Sequence, residues 1–214
     1  MTQRLAGLNA ACRDYAEKWQ TLDYTLYNLC QKNPGHRTWE SVAAKIWIIG
    51  RTYATGIERK IPTRNTQGSS LSQLTKHILA NRCAMEAIFD RLPEVPEPLS
   101  PRKLQAIVAA HGQLVKLLRP ILRRRQSPRS FASKYMHFHC PAVPLYDTYA
   151  VRALTHLYRW RDKFEVFDLP TDADHEYAWH VMRFWQLYRD AKKRDRRVSV
   201  KPLDYYLLCV AEDL

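Results

Sequence analysis

The stretch RSFASKYMHFHCPAVPLYDTYAVRAL, residues 129–154, holds the polar side chains around which the rest of the chain can be interpreted. Its first half predicts a short helix that carries Lys134. Pro141 and Pro144 then favour an extended passage, because proline and the residue before it disfavour the helical conformation. Helix is expected to resume at Asp147, whose carboxylate would lie at the N-cap among backbone N–H groups, and a role as this cap alone is an equal alternative to a functional one. The spacing lets Lys134 and Asp147 face one cleft.

Apolar residues at helical spacing predict helices on both sides of this stretch. The upstream helices are expected over residues 3–31, from Thr38, from Ser70 or Leu71 to about Phe89, and from Ser100 and Pro101. Downstream, helices are expected from Asp147 to Trp160, from the acidic cluster at residues 172–176, and in the tail SVKPLDYYLLCVAEDL. Hardly any alternating strand pattern occurs. The predicted fold class is all-α, as a single helical domain of residues 1–214 with possible lobes 1–99 and 100–214.

The apolar stripes also predict which side chains are buried. Trp19 and Leu22 in the first helices and Trp39 in the third are expected on the inward stripes. His111 lies on an apolar face, where a core histidine with satisfied hydrogen bonds is the favoured interpretation over a ligand.

Length and composition are those of an ordinary globular protein, with 214 residues of which 46% are hydrophobic. No apolar run approaches the roughly 20 residues that cross a bilayer, and the N-terminus lacks a signal-peptide core, so a cytoplasmic protein without membrane contact is expected. A monomer is also expected. The five cysteines are scattered without a CxxC pair, which favours buried thiols in a reducing compartment over a disulfide framework.

The charge balance is the strongest global signal. Lysine and arginine number 34 against 21 aspartate and glutamate, a net charge of +13 with a pI of about 9.7. Such a chain attracts polyanions, so nucleic acid is the expected partner, with DNA favoured; the alternative is a basic protein without that role. No P-loop or Rossmann fingerprint occurs among only six glycines, which disfavours nucleotide-driven enzymes.

The loop after the third predicted helix is a candidate binding segment. It follows a rigid element and carries Arg51, Tyr53 and Glu58, although a solvated loop is an equal alternative. Glu58 is a candidate acid. The competing interpretation of Glu58 is an ion pair with Arg59 or Lys60.

Two clusters resemble metal sites at first sight. His137, His139 and Cys140 lie within four residues but lack the usual zinc-ligand spacing, and they are expected to line a polar pocket or to hydrogen-bond the backbone of the proline passage. The acids of residues 172–176 could hold magnesium, but the helix dipole also favours acids in a first turn. No metal or other cofactor is predicted.

Two adjoining segments carry a resemblance to a known family. SFASKYMHF and CPAVPLYDTYAVRAL, within residues 127–154, resemble the lysine-bearing helix and the aspartate segment of the helix-hairpin-helix DNA glycosylase superfamily. The all-α pattern and the final helix KPLDYYLL give weaker support. The resemblance implies a helical hairpin that grips DNA phosphates, with Lys134 and Asp147 as the catalytic residues.

The chemistry implied by this resemblance is N-glycosidic cleavage. Asp147 would stabilise positive charge on the sugar, and Lys134 would act as a nucleophile through a Schiff base or leave the attack to water. The base would be flipped out and stacked on Tyr53, Tyr135 or Tyr149. The candidate substrate- and nucleic-acid-binding residues are Arg51, Tyr53, Glu58, Arg123, Arg124, Arg125, Arg129, Ser133, His137, His139 and Tyr149.

The expected function is therefore excision of a modified or damaged base from DNA, with a modified phage base, in defence, as one such substrate. Two alternatives from other classes stay open. One is a non-catalytic DNA- or RNA-binding protein that uses the same basic faces. The other is a helical RNase or toxin that uses arginine and histidine pairs.

Overall fold

The computed structural model describes residues 5–62, 68–92, 98–159 and 166–214, and these ranges form eleven α-helices and no strand. The helices are α1 (Leu8–Lys18), α2 (Gln20–Lys32), α3 (Trp39–Thr52), α4 (Ile57–Lys60), α5 (Ser70–Ala80), α6 (Arg82–Phe89), α7 (Pro101–Leu118), α8 (Arg129–His139), α9 (Thr148–Leu157), α10 (His175–Arg194) and α11 (Val200–Glu212), with a 3₁₀ turn at Arg119–Ile121. The predicted all-α class is confirmed. Trp160, the expected end of α9, lies outside the described residues. None of the described helices has both the length and the apolar composition needed to cross a bilayer.

The helix starts follow the local sequence. Thr38, Ser100, Asp147 and Asp174 each occupy an N-cap, where the side-chain oxygen accepts a hydrogen bond from the backbone N–H three residues later. Each cap satisfies one of the N–H groups that a helix start leaves without a partner. The predicted starts near Thr38, Ser100 and Asp147 are therefore confirmed.

One expected helix is divided in two. The continuous helix predicted up to Phe89 is wrong, because α5 ends and α6 begins at Asn81. The Asn81 side-chain amide donates to the carbonyl of His77 at 2.8 Å. The Asn81 backbone N–H donates to the same carbonyl at 3.1 Å, and asparagine, whose amide forms such local bonds, is a weak helix former, which favours a break here.

Three tryptophan and leucine side chains expected inside are exposed. Trp19, Leu22 and Trp39 keep 47%, 57% and 38% of their surface in solvent. Trp19 ends α1 and precedes α2, so the periodicity restarts there and the two helices bury different faces. Leu22 follows in the first turn of α2.

The buried side chains form one continuous cluster with α8 at its centre. This helix packs against α2, α3 and α7, while α11 packs against α9 and α1. Phe131–Phe138, eight consecutive residues of α8, are buried, as in a helix surrounded by protein. A lysine in such a helix requires a partner, because an unpaired buried charge is very costly. The packing therefore predicts a partner for the Lys134 ammonium close to α8.

Candidate active site

The structure brings Lys134 and Asp147 together. The Lys134 ammonium Nζ lies 3.3 Å from Oδ2 of Asp147, with 5% and 20% of the two side chains exposed. Lys134 lies in the middle of α8 and Asp147 at the start of α9, so the proline passage between them reverses the chain. The two residues thus form a largely buried ion pair that solvent reaches from the Asp147 side.

Local hydrogen bonds fix the position of Asp147. Its Oδ1 accepts from the backbone N–H of Ala150 at 2.8 Å, which leaves Oδ2 for Lys134. The preceding backbone N–H, of Tyr146, donates to Oγ of Ser133 at 3.0 Å. Ser133, a predicted binding residue, is buried and instead ties the proline passage to α8. This bond joins the residue before Asp147 to the residue before Lys134, and so holds the carboxylate and the ammonium close together.

Lys134 also contacts the end of α3. Its Nζ donates to the backbone carbonyl of Tyr53 at 3.1 Å, and Tyr53 is the C-cap of that helix. Helix C-termini favour cations and helix N-termini favour carboxylates, so both members of the pair gain from the helix ends beside them. The next residue, Ala54, has a left-handed φ of 47°, a conformation uncommon for alanine.

Two cavities meet at this pair. The outer cavity, of about 430 Å³, is lined among others by Lys60, Ser127, Arg129, Tyr146 and Tyr149. The inner cavity, of about 320 Å³, is lined among others by Tyr15, Trp19, Asp23, Lys201, Asp204 and Tyr205. Tyr53, Ala54, Lys134 and Asp147 belong to the walls of both. The ion pair is therefore accessible from two sides.

The inner cavity contains a charged cluster that the sequence did not single out. Lys201 Nζ lies 3.1 Å from Oδ2 of Asp204 and 3.7 Å from Oδ2 of Asp23. Asp23 also accepts hydrogen bonds from the hydroxyls of Tyr15, at 2.8 Å, and Tyr53. Lys201 lies 4.9 Å from the centre of the Tyr53 ring. Residues from both ends of the chain thus meet behind the Lys134–Asp147 pair.

A sequence signal for this cluster exists. Asp23 lies three residues before the core residue Leu26, and Asp204 lies between Leu203 and Leu207 on the buried face of α11. Aspartate is almost never fully buried unless paired, so an aspartate on a core-facing stripe indicates a buried partner. The partner, Lys201, could not be named from periodicity.

The buried cluster is electrostatically linked to the candidate catalytic pair. Burial raises the pKa of Asp204, and the negative charge of Asp147 raises this pKa further. The positive charge of Lys201 acts in the opposite direction. Burial also raises the pKa of Asp23, against the opposing effect of Lys201. For Lys201, burial lowers the pKa, but the two carboxylates outweigh it and the net shift is upward. Lys201 is therefore held as a cation.

The predicted arginines lie around the outer cavity. Arg129 lines it, but its guanidinium already pairs with Asp174 at 2.7 Å and with Glu176. Arg123, Arg124 and Arg125 are exposed. The run begins next to the cavity wall, since the backbone N–H of Arg123 donates to the carbonyl of the wall residue Lys60 at 2.8 Å. Tyr149 lines the same cavity and is 57% exposed.

Arg51 and Glu58 line neither cavity. They pair with each other at 3.0 Å, so the partner of Glu58 is Arg51 and not the expected Arg59 or Lys60. The Arg51 guanidinium also lies 4.5 Å above the Trp47 ring. Of the three candidates Arg51, Tyr53 and Glu58, Tyr53 is thus the one that lines the cavities.

The histidines of α8 belong to the core and not to a cavity wall. Nδ1 of His137 donates to the carbonyl of Val143 at 2.7 Å, which confirms the expected bond to the proline passage, and Nε2 accepts from the Tyr27 hydroxyl. Burial lowers the pKa of His137 to about 3, so the ring is neutral. His139 packs against the ring of His36. Tyr135, expected as a stacking residue, is completely buried and so does not present its ring to a base.

No group of three or more histidine, cysteine, aspartate or glutamate residues in the described ranges is arranged to hold a metal ion. The acids at residues 172–176 have other partners: Asp174 and Glu176 bind Arg129, and Asp172 binds Lys116 at 2.8 Å. The acidic first turn of α10 is therefore an N-cap with ion pairs.

A larger open groove of about 930 Å³ lies along α10, with Trp185, Tyr188, Arg189, Lys192, Lys193 and Arg196 in its wall. It shares no residue with the two cavities described above, and its wall contains no carboxylate. It thus lacks a carboxylate that could stabilise a developing positive charge, and the candidate active site is the smaller pair of cavities around Lys134 and Asp147.

No family model, curated protein or solved structure matches this chain. Its candidate site is interpreted from its own geometry.

Proposed function

We propose that this protein is a DNA glycosylase-like enzyme that removes a damaged or modified base, including a modified phage base, and that it acts as a cytoplasmic monomer. The observation that carries the proposal is the 3.3 Å contact between Lys134 and Asp147 at the wall common to two cavities. A net charge of +13 on the chain suits a polyanionic substrate.

Asp147 has the properties that N-glycosidic cleavage requires of a carboxylate. The breaking bond leaves positive charge on the sugar, and a fixed negative group in a site of low exposure stabilises that charge strongly. The Asp147 side chain is 20% exposed and held at a helix start, so it is both reachable and rigid.

Lys134 offers a nucleophile next to that carboxylate. The ammonium transfers a proton to Asp147, the Nζ lone pair forms a bond to C1′, and the glycosidic bonding pair leaves with the base, which takes up that proton, so that Asp147 is again a carboxylate. The bound nitrogen then loses a proton to water, and its lone pair expels O4′ of the sugar, which takes up a proton as the ring opens to a protonated imine. If Lys134 instead stays protonated, water attacks C1′ and Asp147 accepts the proton of the water.

The region beside the outer cavity supports phosphate binding. Lys60 lines this cavity and the exposed run of Arg123, Arg124 and Arg125 starts beside it. Exposed cations bind nucleic acid with an affinity that falls steeply as salt rises. The DNA backbone is accordingly proposed to lie along the outer cavity.

The test is an abasic-site assay on DNAs with ordinary, damaged and phage-modified bases, read out by alkali cleavage. Wild type is expected to form abasic sites and Asp147→Asn to form none. Borohydride trapping is expected with wild type and not with Lys134→Gln. Lys45→Gln is the matched control, because Lys45 is another buried lysine that lines neither cavity.

Two outcomes would contradict the proposal in different ways. Tight DNA or RNA binding without abasic sites on any substrate would leave a non-catalytic binding protein. Abasic sites that persist in Asp147→Asn would move the chemistry to other residues.

A further inference from the structure

The inner cavity has aromatic walls and a size suited to one base. Tyr15, Trp19, Tyr53 and Tyr205 line it, and the ring centres of Tyr15 and Tyr205 are 6.1 Å apart. Its volume of about 320 Å³ lies at the lower end of small-molecule sites. It exceeds the roughly 150 Å³ that accommodates benzene in an apolar cavity. The space therefore fits a planar ring system of purine size.

The position of this cavity matches that of a base relative to its sugar. Lys134 and Asp147 belong to the wall shared with the outer cavity. A nucleotide with its base in the inner cavity and its phosphates toward the outer cavity would have its glycosidic bond beside this pair.

The wall of the inner cavity is acidic although the protein is basic. Its charged residues are Asp23, Lys134, Asp147, Lys201, Asp204 and Glu212, which is four carboxylates against two ammonium groups and a formal charge of −2. The whole chain carries +13. This excess of carboxylates favours a ligand that brings hydrogen-bond donors or positive charge.

Asp204 supplies an acceptor without a partner. The residue is 3% exposed, and its Oδ2 accepts from Lys201 at 3.1 Å. Its Oδ1 is buried and has no hydrogen-bond partner within the part of the chain that the structure describes. A buried polar atom without a partner is destabilising, so a ligand N–H donor that reaches the Asp204 carboxylate from the cavity would be stabilising.

We propose that the inner cavity selects amino-bearing purines, whose N–H groups donate to the carboxylate of Asp204 while the ring stacks on the aromatic walls. This inference rests on the proposed glycosylase function and names its substrate class. Aromatic faces also attract cationic rings, so protonation of the bound purine strengthens the same contact.

The first experiment uses free bases, so that it does not depend on cleavage. Fluorescent 2-aminopurine is titrated with the protein and then displaced by 9-methyladenine or by 9-methylpurine, which differ only in the amino group. At least about tenfold tighter binding of 9-methyladenine is expected, equivalent to one good hydrogen bond to a charged group. Equal displacement by the two competitors, or no binding of 2-aminopurine, would overturn the inference.

Variants then assign the preference to Asp204. Asp204→Asn is expected to reduce the ratio between the two competitors to about threefold or less. Asp190→Asn is the matched control, since Asp190 is another buried aspartate, bonded to the Tyr158 hydroxyl at 3.1 Å and outside the cavity wall. An unchanged ratio in folded Asp204→Asn would contradict the assignment. If this variant fails to fold, the comparison of 9-methyladenine with 9-methylpurine on wild-type protein still tests the preference for an amino group.

The two proposals fail separately. In DNA that carries single purines with or without amino groups, abasic sites formed at equal rates would refute the amino preference and leave the glycosylase. A clear preference among free bases without abasic sites on any DNA would leave a purine-binding pocket and refute the glycosylase.

Discussion

Asp147 shows how one residue serves the backbone and the site at once. Its Oδ1 caps α9 through the N–H of Ala150, and its Oδ2 faces Lys134. The cap needs only an oxygen acceptor, whereas the proposed chemistry needs a negative charge. Substitutions that keep one property and remove the other can therefore separate the two roles.

Asp147→Asn and Asp147→Ala are expected to lose abasic-site formation equally but to differ in stability. Asparagine is as good an N-cap as aspartate and alanine is a poor one, so the alanine variant should be less stable by about 1 kcal/mol. Urea denaturation of both variants measures the difference. Equal stabilities would mean that the cap contributes nothing to the fold.

Lys201 pairs with two buried aspartates, so its removal should be costly. Lys201→Met is expected to destabilise the protein by about 3–5 kcal/mol at neutral pH, because it leaves Asp23 and Asp204 buried without this ion-pair partner. The deficit relative to wild type should shrink as pH falls, since protonation removes the buried negative charges. Denaturation at several pH values tests this.

A double variant tests whether the expected loss of stability comes from the unpaired negative charges. Lys201→Met combined with Asp204→Asn should recover part of the lost stability. No recovery would indicate that the lysine acts by packing its aliphatic chain and not by its charge.

At the scale of the helix, α7 is held by a backbone contact as well as by its apolar face. Gly112 lies in α7, and a Cβ built there would lie 1.9 Å from the backbone carbonyl oxygen of Asp172, ahead of α10. Backbone atoms cannot move aside as a flexible side chain can. Glycine is therefore required at this helix interior, where its low helix propensity is otherwise a cost of about 1 kcal/mol.

Gly112→Ala should lower stability by about 1–3 kcal/mol or more, through forced separation of α7 from the segment before α10. Gly50→Ala is the control. At Gly50, within α3, the added Cβ meets only a side-chain methyl of Ile57 at 3.6 Å, so helix propensity should make that change neutral or stabilising. Thermal unfolding of the pair measures both. A stable Gly112→Ala would show that the contact is loose in solution.

For the whole molecule, buried neutral histidines set the response to acid. Burial lowers the pKa of His36 and His137 to about 3 and of His111 and His180 to about 4. Between these values and the unfolded value near 6.5, the unfolded chain binds more protons than the folded one. Stability is therefore present above pH 6.5 and is lost as pH falls below it.

Urea midpoints measured from pH 7.5 to 5 should fall, with each histidine costing up to about 1.4 kcal/mol per pH unit below 6.5. The raised pKa values of Asp23 and Asp204 act in the opposite direction, but they are outnumbered by five histidines whose pKa burial lowers, His139 included. His137→Gln should reduce the slope by about one proton. A flat profile would mean that these rings are protonated without unfolding.

The sequence alone determined the local architecture, because local signals act between neighbours. The period of the apolar residues identified helices, and the caps at Thr38, Ser100 and Asp147 marked their starts. The break at Asn81 could not be predicted from that period, since it reflects the local preferences of one asparagine and not the apolar pattern.

Only the tertiary structure decided how the site is assembled. The expectation that Lys134 and Asp147 share a cleft required the chain reversal that Ser133 and the proline passage provide. The cluster of Asp23, Lys201 and Asp204 joins α2 to α11; periodicity placed the two aspartates on buried helix faces but could not identify Lys201 as their partner. Periodicity shows which face of a helix is buried but not what it is buried against, because that partner is chosen by the packing of all the helices together.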